Sequence, residues 1–107
     1  LAVMGATLAN GGANPVTGKR VMDERYVPKV LALMMTNGLY ENSGEWVYRT
    51  GLPGKSGVGG GIIAIVPGKY TIAAFSPPLD EAGNSVRGQK AVEYVAKTLR
   101  ANLFSTP

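Results

Sequence analysis

Apolar residues recur at helical spacing in three segments of the chain. The positions are Leu1, Met4 and Leu8 in the first, Val27, Val30, Leu31, Met34 and Met35 in the second, and Val92, Val95, Ala96, Leu99 and Leu103 in the third. This spacing predicts helices over residues 1–9, about 23–37 and about 85–103. Asn10-Gly11-Gly12 and Asn37-Gly38 are the stop signals of the first two, since glycine accepts the left-handed conformation of a helix end.

Two continuous apolar runs, residues 62–66 and 70–75, predict β-strands. Pro67-Gly68-Lys69 joins them as a hairpin turn. The aromatic and β-branched content of residues 46–50 predicts a third strand, and the glycine-rich residues 51–61 connect it to the hairpin. Because strands joined by a tight turn are antiparallel, the predicted fold class is α+β, an antiparallel sheet with flanking helices.

The composition excludes several kinds of site. The 107 residues contain no cysteine and no histidine, so a disulfide framework, a Cys/His zinc site, a Ser-His-Asp triad and a cysteine nucleophile are impossible within them. The 11 basic residues give a net charge of +4 but are spread along the chain. Nucleic-acid-binding proteins usually cluster such charge, so no nucleic-acid partner is expected. No apolar run approaches the roughly 20 residues of a membrane helix, so no membrane partner is expected.

Two glycine-rich motifs resemble nucleotide-binding signatures but stand in the wrong context. Gly54-Lys55-Ser56 matches the end of a phosphate-binding loop, yet that motif needs glycine where Arg49 stands and should open a helix. Residues 59–64 match a dinucleotide fingerprint, which should end a strand and begin a helix, whereas here the order is reversed. Neither motif predicts a nucleotide site.

Lys55-Ser56-Gly57 stands just before the predicted hairpin. Serine enzymes of the penicillin-recognising type carry K-[ST]-G on a strand that lines the site, together with an S-x-x-K nucleophile. Backbone N–H groups on such a strand can stabilise an acyl oxyanion. A polar turn leading into a strand explains the same three residues, so the motif alone leaves both interpretations open.

Longer stretches of sequence distinguish between these two interpretations. The strings are LANGG at residues 8–12, NPVTG at 14–18, NGLYENSGEW at 37–46, GLPGKSGVGGG at 51–61, FSPPLD at 75–80 and GNSVRG at 83–88. Together they resemble the bacterial-type glutaminase family over nearly the whole chain, most weakly after about Gln89. Two small departures are Gly54, where alanine is common in the family, and Pro28 in the second predicted helix.

The resemblance implies a serine β-lactamase-like fold and the hydrolysis of L-glutamine to L-glutamate and ammonia through a serine acyl-enzyme. It implies no cofactor and no metal, and a cytoplasmic location, with which the absence of cysteine agrees. Tyr40 matches an active-site tyrosine that contacts substrate. Val58 matches the residue whose backbone N–H contributes to the oxyanion hole. Lys55, Ser56 and Gly57 are expected to form the wall of the site.

No serine in the chain begins an S-x-x-K motif, so no catalytic residue is expected within it. We therefore expect residues 1–107 to be the C-terminal part of a glutaminase domain, inactive alone, whose partners are the missing N-terminal part and further copies of the enzyme. Two alternatives remain at this point. One is another serine acyl-transferase or hydrolase of the penicillin-recognising fold, and the other is a non-catalytic fragment that only oligomerises.

Overall fold

A computed structural model describes residues 1–105 as four helices and a three-stranded sheet. The helices are α1 (Ala2–Ala9), α2 (Val27–Asn37), α3 (Ser43–Thr50) and α4 (Val86–Thr98). The strands are β1 (Gly54–Ser56), β2 (Gly61–Val66) and β3 (Tyr70–Phe75). Short 3-10 turns at Glu24–Tyr26 and Tyr40–Asn42 precede α2 and α3. None of the described helices is long and apolar enough to cross a membrane.

The sheet is antiparallel throughout, in the order β1-β2-β3. Ser56 of β1 stands opposite Ile62, and Val66 of β2 stands opposite Tyr70 across the hairpin turn. The hairpin prediction is therefore confirmed, and so is the α+β class. The central strand β2 has both faces covered by helices, which explains why its sequence is continuously apolar rather than alternating.

The core lies on both sides of β2. Ile62, Ala64 and Val66 point to one side, where they pack with residues of α3 and α4, including Trp46 and Val92. The alternate residues Ile63 and Ile65 pack on the other side with Ala9 of α1 and Met34 of α2. Because successive side chains of a strand alternate between its faces, one strand supplies both clusters.

The strand predicted at residues 46–50 is wrong, because these residues belong to helix α3. Trp46 and Thr50 are buried while Tyr48 between them is 89% exposed, which is helical and not strand periodicity. Glu45 and Arg49, four residues apart, form an ion pair on the outer face. Gly51 ends the helix in the left-handed conformation, with φ of 62°. The sheet takes its third strand from Gly54–Ser56, inside the predicted loop.

Two predicted helix boundaries also move. The second helix begins at Val27, because Pro28 fits a first turn, and the preceding residues form the Glu24–Tyr26 turn. The last helix ends at Thr98 and does not reach Leu103. There Arg100 takes a positive φ of 54°, and the Ala101 N–H returns to the Ala96 carbonyl, which closes the helix end.

Candidate active site

Tyr40 follows α2 through a sharp backbone reversal. Its φ is +50°, a left-handed conformation that is rare outside glycine and costs about 1–3 kcal/mol unless the surroundings enforce it. Ser43 stabilises this conformation, because its hydroxyl donates to the Tyr40 carbonyl at 2.7 Å and accepts from the Leu39 N–H at 2.9 Å. Leu39 is fully buried, whereas Tyr40 is 46% exposed. The reversal thus anchors one residue in the core and presents the next at the surface.

Lys55 of β1 lies against the Tyr40 ring. Its Nζ is 5.1 Å from the ring centroid, within the range of a cation–π interaction. The same ammonium donates to the Ser56 carbonyl at 2.6 Å and approaches the Gly38 carbonyl at 3.4 Å. These contacts join β1 to the end of α2 and hold the Lys55 charge beside the phenol.

Val58 lies in the turn between β1 and β2. The Gly57 N–H donates to the Gly61 carbonyl and the Gly60 N–H to the Gly57 carbonyl, so the turn is internally closed. Gly60 has φ of +105°, and a Cβ there would stand 2.7 Å from the Ser76 carbonyl oxygen, so no other residue fits without a shift. The Val58 side chain is 69% exposed. Among residues 1–105, no acceptor takes the Val58 N–H.

Gly83 lies close to the side chains of both Tyr40 and Val58. A Cβ placed on Gly83 would lie 3.7 Å from Cγ1 of Val58 and 3.9 Å from Cε2 of Tyr40. The two side chains therefore flank the same backbone segment, although 18 residues separate them in sequence. Tyr40 comes from one string of the sequence and Lys55 and Val58 from another, and all three lie on one exposed surface of the structure.

Ser56 points the opposite way. It is 5% exposed, and its hydroxyl donates to Oδ1 of Asn84 at 2.5 Å. Asn84 is fully buried, and its Nδ2 donates to the Leu39 carbonyl at 3.1 Å. A buried hydroxyl engaged in this way is a structural group beneath the exposed surface. No sequence pattern points to a site role for Asn84, and the cap of α4 is the next residue, Ser85, whose hydroxyl accepts from the Gly88 N–H.

Asp80 closes the loop that carries Gly83 and Asn84. Its carboxylate accepts from the Asn84 N–H at 3.0 Å and from the Gln89 side chain at 3.1 Å. The Asn84 N–H bond, with help from Gln89, holds the pKa of the Asp80 carboxyl below its usual value, against a smaller opposing effect of burial. The ionised form of Asp80 thus favours the closed loop.

The family model described as Glutaminase matches residues 1–104. The chain belongs to the glutaminase family. Curated glutaminases from Mycobacterium ulcerans and from Escherichia coli strain K12 are 63% and 67% identical to it, over 100% and 97% of this chain. The matches cover 33% and 34% of those proteins, so the chain spans about a third of the length of these relatives.

Solved glutaminase structures agree with the fold. A probable glutaminase that is 66% identical superposes with a TM-score of 0.96, over 98% of this chain and 34% of that protein. The Bacillus subtilis glutaminase in its covalent complex with 5-oxo-L-norleucine is 34% identical and has a TM-score of 0.90, over 96% and 38% of the two chains. These two matches confirm the β-lactamase-like fold that the family resemblance implies.

Proposed function

We propose that residues 1–107 supply one wall of an active site that hydrolyses L-glutamine to L-glutamate and ammonia. The observation that carries this proposal is that Tyr40 and Val58 meet at Gly83 while Lys55 lies over the Tyr40 ring, in a chain that belongs to the glutaminase family over nearly its whole length. The nucleophile comes from chain outside residues 1–107, since no S-x-x-K occurs within them. We place this segment in the C-terminal part of the glutaminase domain.

The proposed reaction passes through a serine acyl-enzyme. The serine oxygen attacks the side-chain amide carbon of glutamine, the amide nitrogen leaves as ammonia with a proton passed through the neighbouring lysine, and water then hydrolyses the ester to glutamate. The B. subtilis relative supports covalent catalysis, because it forms a covalent complex on reaction with 6-diazo-5-oxo-L-norleucine.

Val58 and Tyr40 have different proposed roles. The Val58 N–H, which no acceptor among residues 1–105 takes, donates to the oxyanion that develops as the amide carbon becomes tetrahedral, and the closed turn orients it before substrate arrives. The Tyr40 phenol contacts substrate beside the nucleophile, where it can donate or accept a hydrogen bond. Lys55 adds positive charge beside that phenol, the buried Ser56 supports the wall from behind, and Gly57 belongs to the closed turn that carries Val58.

The remaining partners are proposed from the family resemblance. The substrate is L-glutamine, the other two thirds of the enzyme complete the site, and copies of the complete enzyme associate as a homo-oligomer in the cytoplasm. The exposed apolar side chains of Met4 and Phe75 are consistent with a surface that further chain covers.

Covalent labelling tests the proposed mechanism. The full-length enzyme that contains this segment is incubated with 6-diazo-5-oxo-L-norleucine, digested and mapped by mass spectrometry. We expect one label per chain, on a serine of an S-x-x-K sequence outside residues 1–107. A label on Ser56, or labelling of the 107-residue chain alone, would contradict the proposal. Labelling of the same serine by benzylpenicillin in place of the glutamine analogue would point to the other acyl-transferases of this fold.

A further inference from the structure

Asn84 is a fully buried amide whose two side-chain polar atoms reach different parts of the chain. Nδ2 donates to the carbonyl of Leu39, 45 residues away, and Oδ1 accepts from the hydroxyl of Ser56, 28 residues away. The Leu39 carbonyl can only accept, so the nitrogen of the amide must face it and the oxygen must face Ser56. The orientation of this side chain is thus fixed by chemistry.

Each partner of Asn84 adjoins a residue of the candidate active site. Leu39 immediately precedes Tyr40, and Ser56 lies two residues before Val58. Gly83, which immediately precedes Asn84, fits between the Tyr40 and Val58 side chains. One buried amide therefore links the two chain segments that carry Tyr40 and Val58.

Asn84 is itself held on a rigid support. Its N–H donates to the Asp80 carboxylate and its carbonyl accepts from the Asp80 N–H at 2.9 Å. The next residue, Ser85, caps α4, and the Ser85 hydroxyl also donates to the Ser76 carbonyl at 2.7 Å. Movement of Asn84 would therefore disturb the start of a helix as well as its own loop.

We infer that Asn84 is a positioning residue for glutamine hydrolysis, which holds the Tyr40 phenol and the Val58 N–H at the separation that the reaction requires. This inference rests on the proposed function. A site group displaced by about 1 Å can cost on the order of a hundredfold in rate. A variant that loses the hydrogen bonds of the Asn84 side chain should therefore have a much lower kcat than a variant destabilised by the same amount elsewhere.

The test compares two variants of the full-length enzyme. Asn84→Asp keeps the shape of the side chain and its acceptor for Ser56, but it presents an oxygen to the Leu39 carbonyl. Thr50→Val is the matched control, because Thr50 is also buried and its hydroxyl also makes two hydrogen bonds, to the Trp46 carbonyl and from the Leu52 N–H. These bonds lie at the end of α3 and involve no residue of the candidate site.

Both variants should lower the melting temperature, while kcat at saturating L-glutamine should fall about 10- to 100-fold in Asn84→Asp and less than about threefold in Thr50→Val. Equal losses of kcat in the two variants, or a kcat of Asn84→Asp within about threefold of wild type, would overturn the inference. Asn84→Ser, which shortens the side chain, buries no carboxyl and leaves room for a bridging water, should retain part of the rate if Asn84→Asp folds poorly. Asn84→Ser with kcat unchanged would also overturn it.

A structural measurement separates this inference from the proposed function. If the wild-type enzyme does not hydrolyse glutamine, the proposed function fails, but crystal structures of wild type and Asn84→Asp still decide the positioning role. We expect the Tyr40 ring to move away from Gly83 in the variant. An unchanged separation of Tyr40, Gly83 and Val58 would overturn the positioning role by itself.

Discussion

Tyr40 combines a strained backbone with an exposed phenol, and both features have identifiable supports. The Ser43 hydroxyl secures its carbonyl, and the Lys55 ammonium lies over its ring. An exposed cation–π interaction stabilises by about 0.5–1 kcal/mol, which is comparable to part of the cost of the left-handed backbone. These two restraints hold the phenol in place, which supports the proposal that Tyr40 contacts substrate.

Tyr40→Phe should therefore impair catalysis without unfolding the protein. The ring and its packing remain, but the hydroxyl is lost, and one hydrogen bond to a reacting group accounts for roughly a ten- to hundredfold loss of kcat/KM. The control is Tyr48→Phe, since Tyr48 is exposed on α3 and touches no candidate site residue. Steady-state kinetics of the full-length enzyme measure both. Equal kcat/KM values for Tyr40→Phe and wild type would remove Tyr40 from the reaction.

Asp80 gives the site loop a defined dependence on pH. The pKa of Asp80 in the folded protein lies below its ordinary value of 3.8. Ionised Asp80 therefore stabilises the folded state above that pH. This contribution to stability is lost as the pH falls through the pKa of the folded state. Asp80→Asn should lower the melting temperature of the full-length enzyme at neutral pH, and the difference from wild type should shrink below about pH 4. Glu81→Gln, an exposed neighbour, is the control. A difference that stays constant from pH 7 to pH 3 would contradict this role.

The sequence could reveal some of these residues and not others. Tyr40 and Val58 were identified by the strings around them, because a single exposed tyrosine or valine carries no chemical signal of its own. Asn84 could not be identified in this way, because its hydrogen-bond partners lie 28 and 45 residues away. No local pattern encodes such contacts.

At the scale of elements, α3 shows how a short segment can mislead. Residues 46–50 contain an aromatic pair, a valine and a threonine, which favour a strand, and five residues are too few to separate the two periodicities. Two signals for a helix involve residues just outside this window, namely Glu45, which pairs with Arg49, and Gly51, which is the C-cap. The hairpin was predictable because two six-residue strands and their turn agree with one another.

Two substitutions distinguish the helix from the strand. In a strand, Trp46 and Tyr48 would share a face and similar burial, whereas in α3 they are 3% and 89% exposed. Trp46→Ala should destabilise the full-length enzyme by about 3–5 kcal/mol, because it removes a core side chain and its hydrogen bond to the Leu52 carbonyl. Tyr48→Ala should cost less than about 0.5 kcal/mol. Denaturant unfolding measures both, and comparable losses would contradict the helix.

At the scale of the whole molecule, the described residues form a sheet with helices on both faces but leave large apolar side chains exposed. Leu1, Met4, Leu33 and Phe75 are each more than half exposed. β3 also stands at the edge of the sheet with one side unpaired among the described strands. The fold class and the hairpin were predictable from patterning, while the way the elements assemble around β2 depends on long-range packing that a sequence pattern does not specify.

The measurement that tests the account most directly is the release of ammonia and L-glutamate from L-glutamine. It should be made on the 107-residue chain and on the full-length enzyme side by side, with Tyr40→Phe in the full-length enzyme as a third sample. We expect turnover by the full-length enzyme, a weakened rate in Tyr40→Phe, and none from the 107-residue chain. Turnover by the pure 107-residue chain would contradict the claim that it supplies only one wall of the site, and no turnover by the full-length enzyme would contradict the proposed reaction.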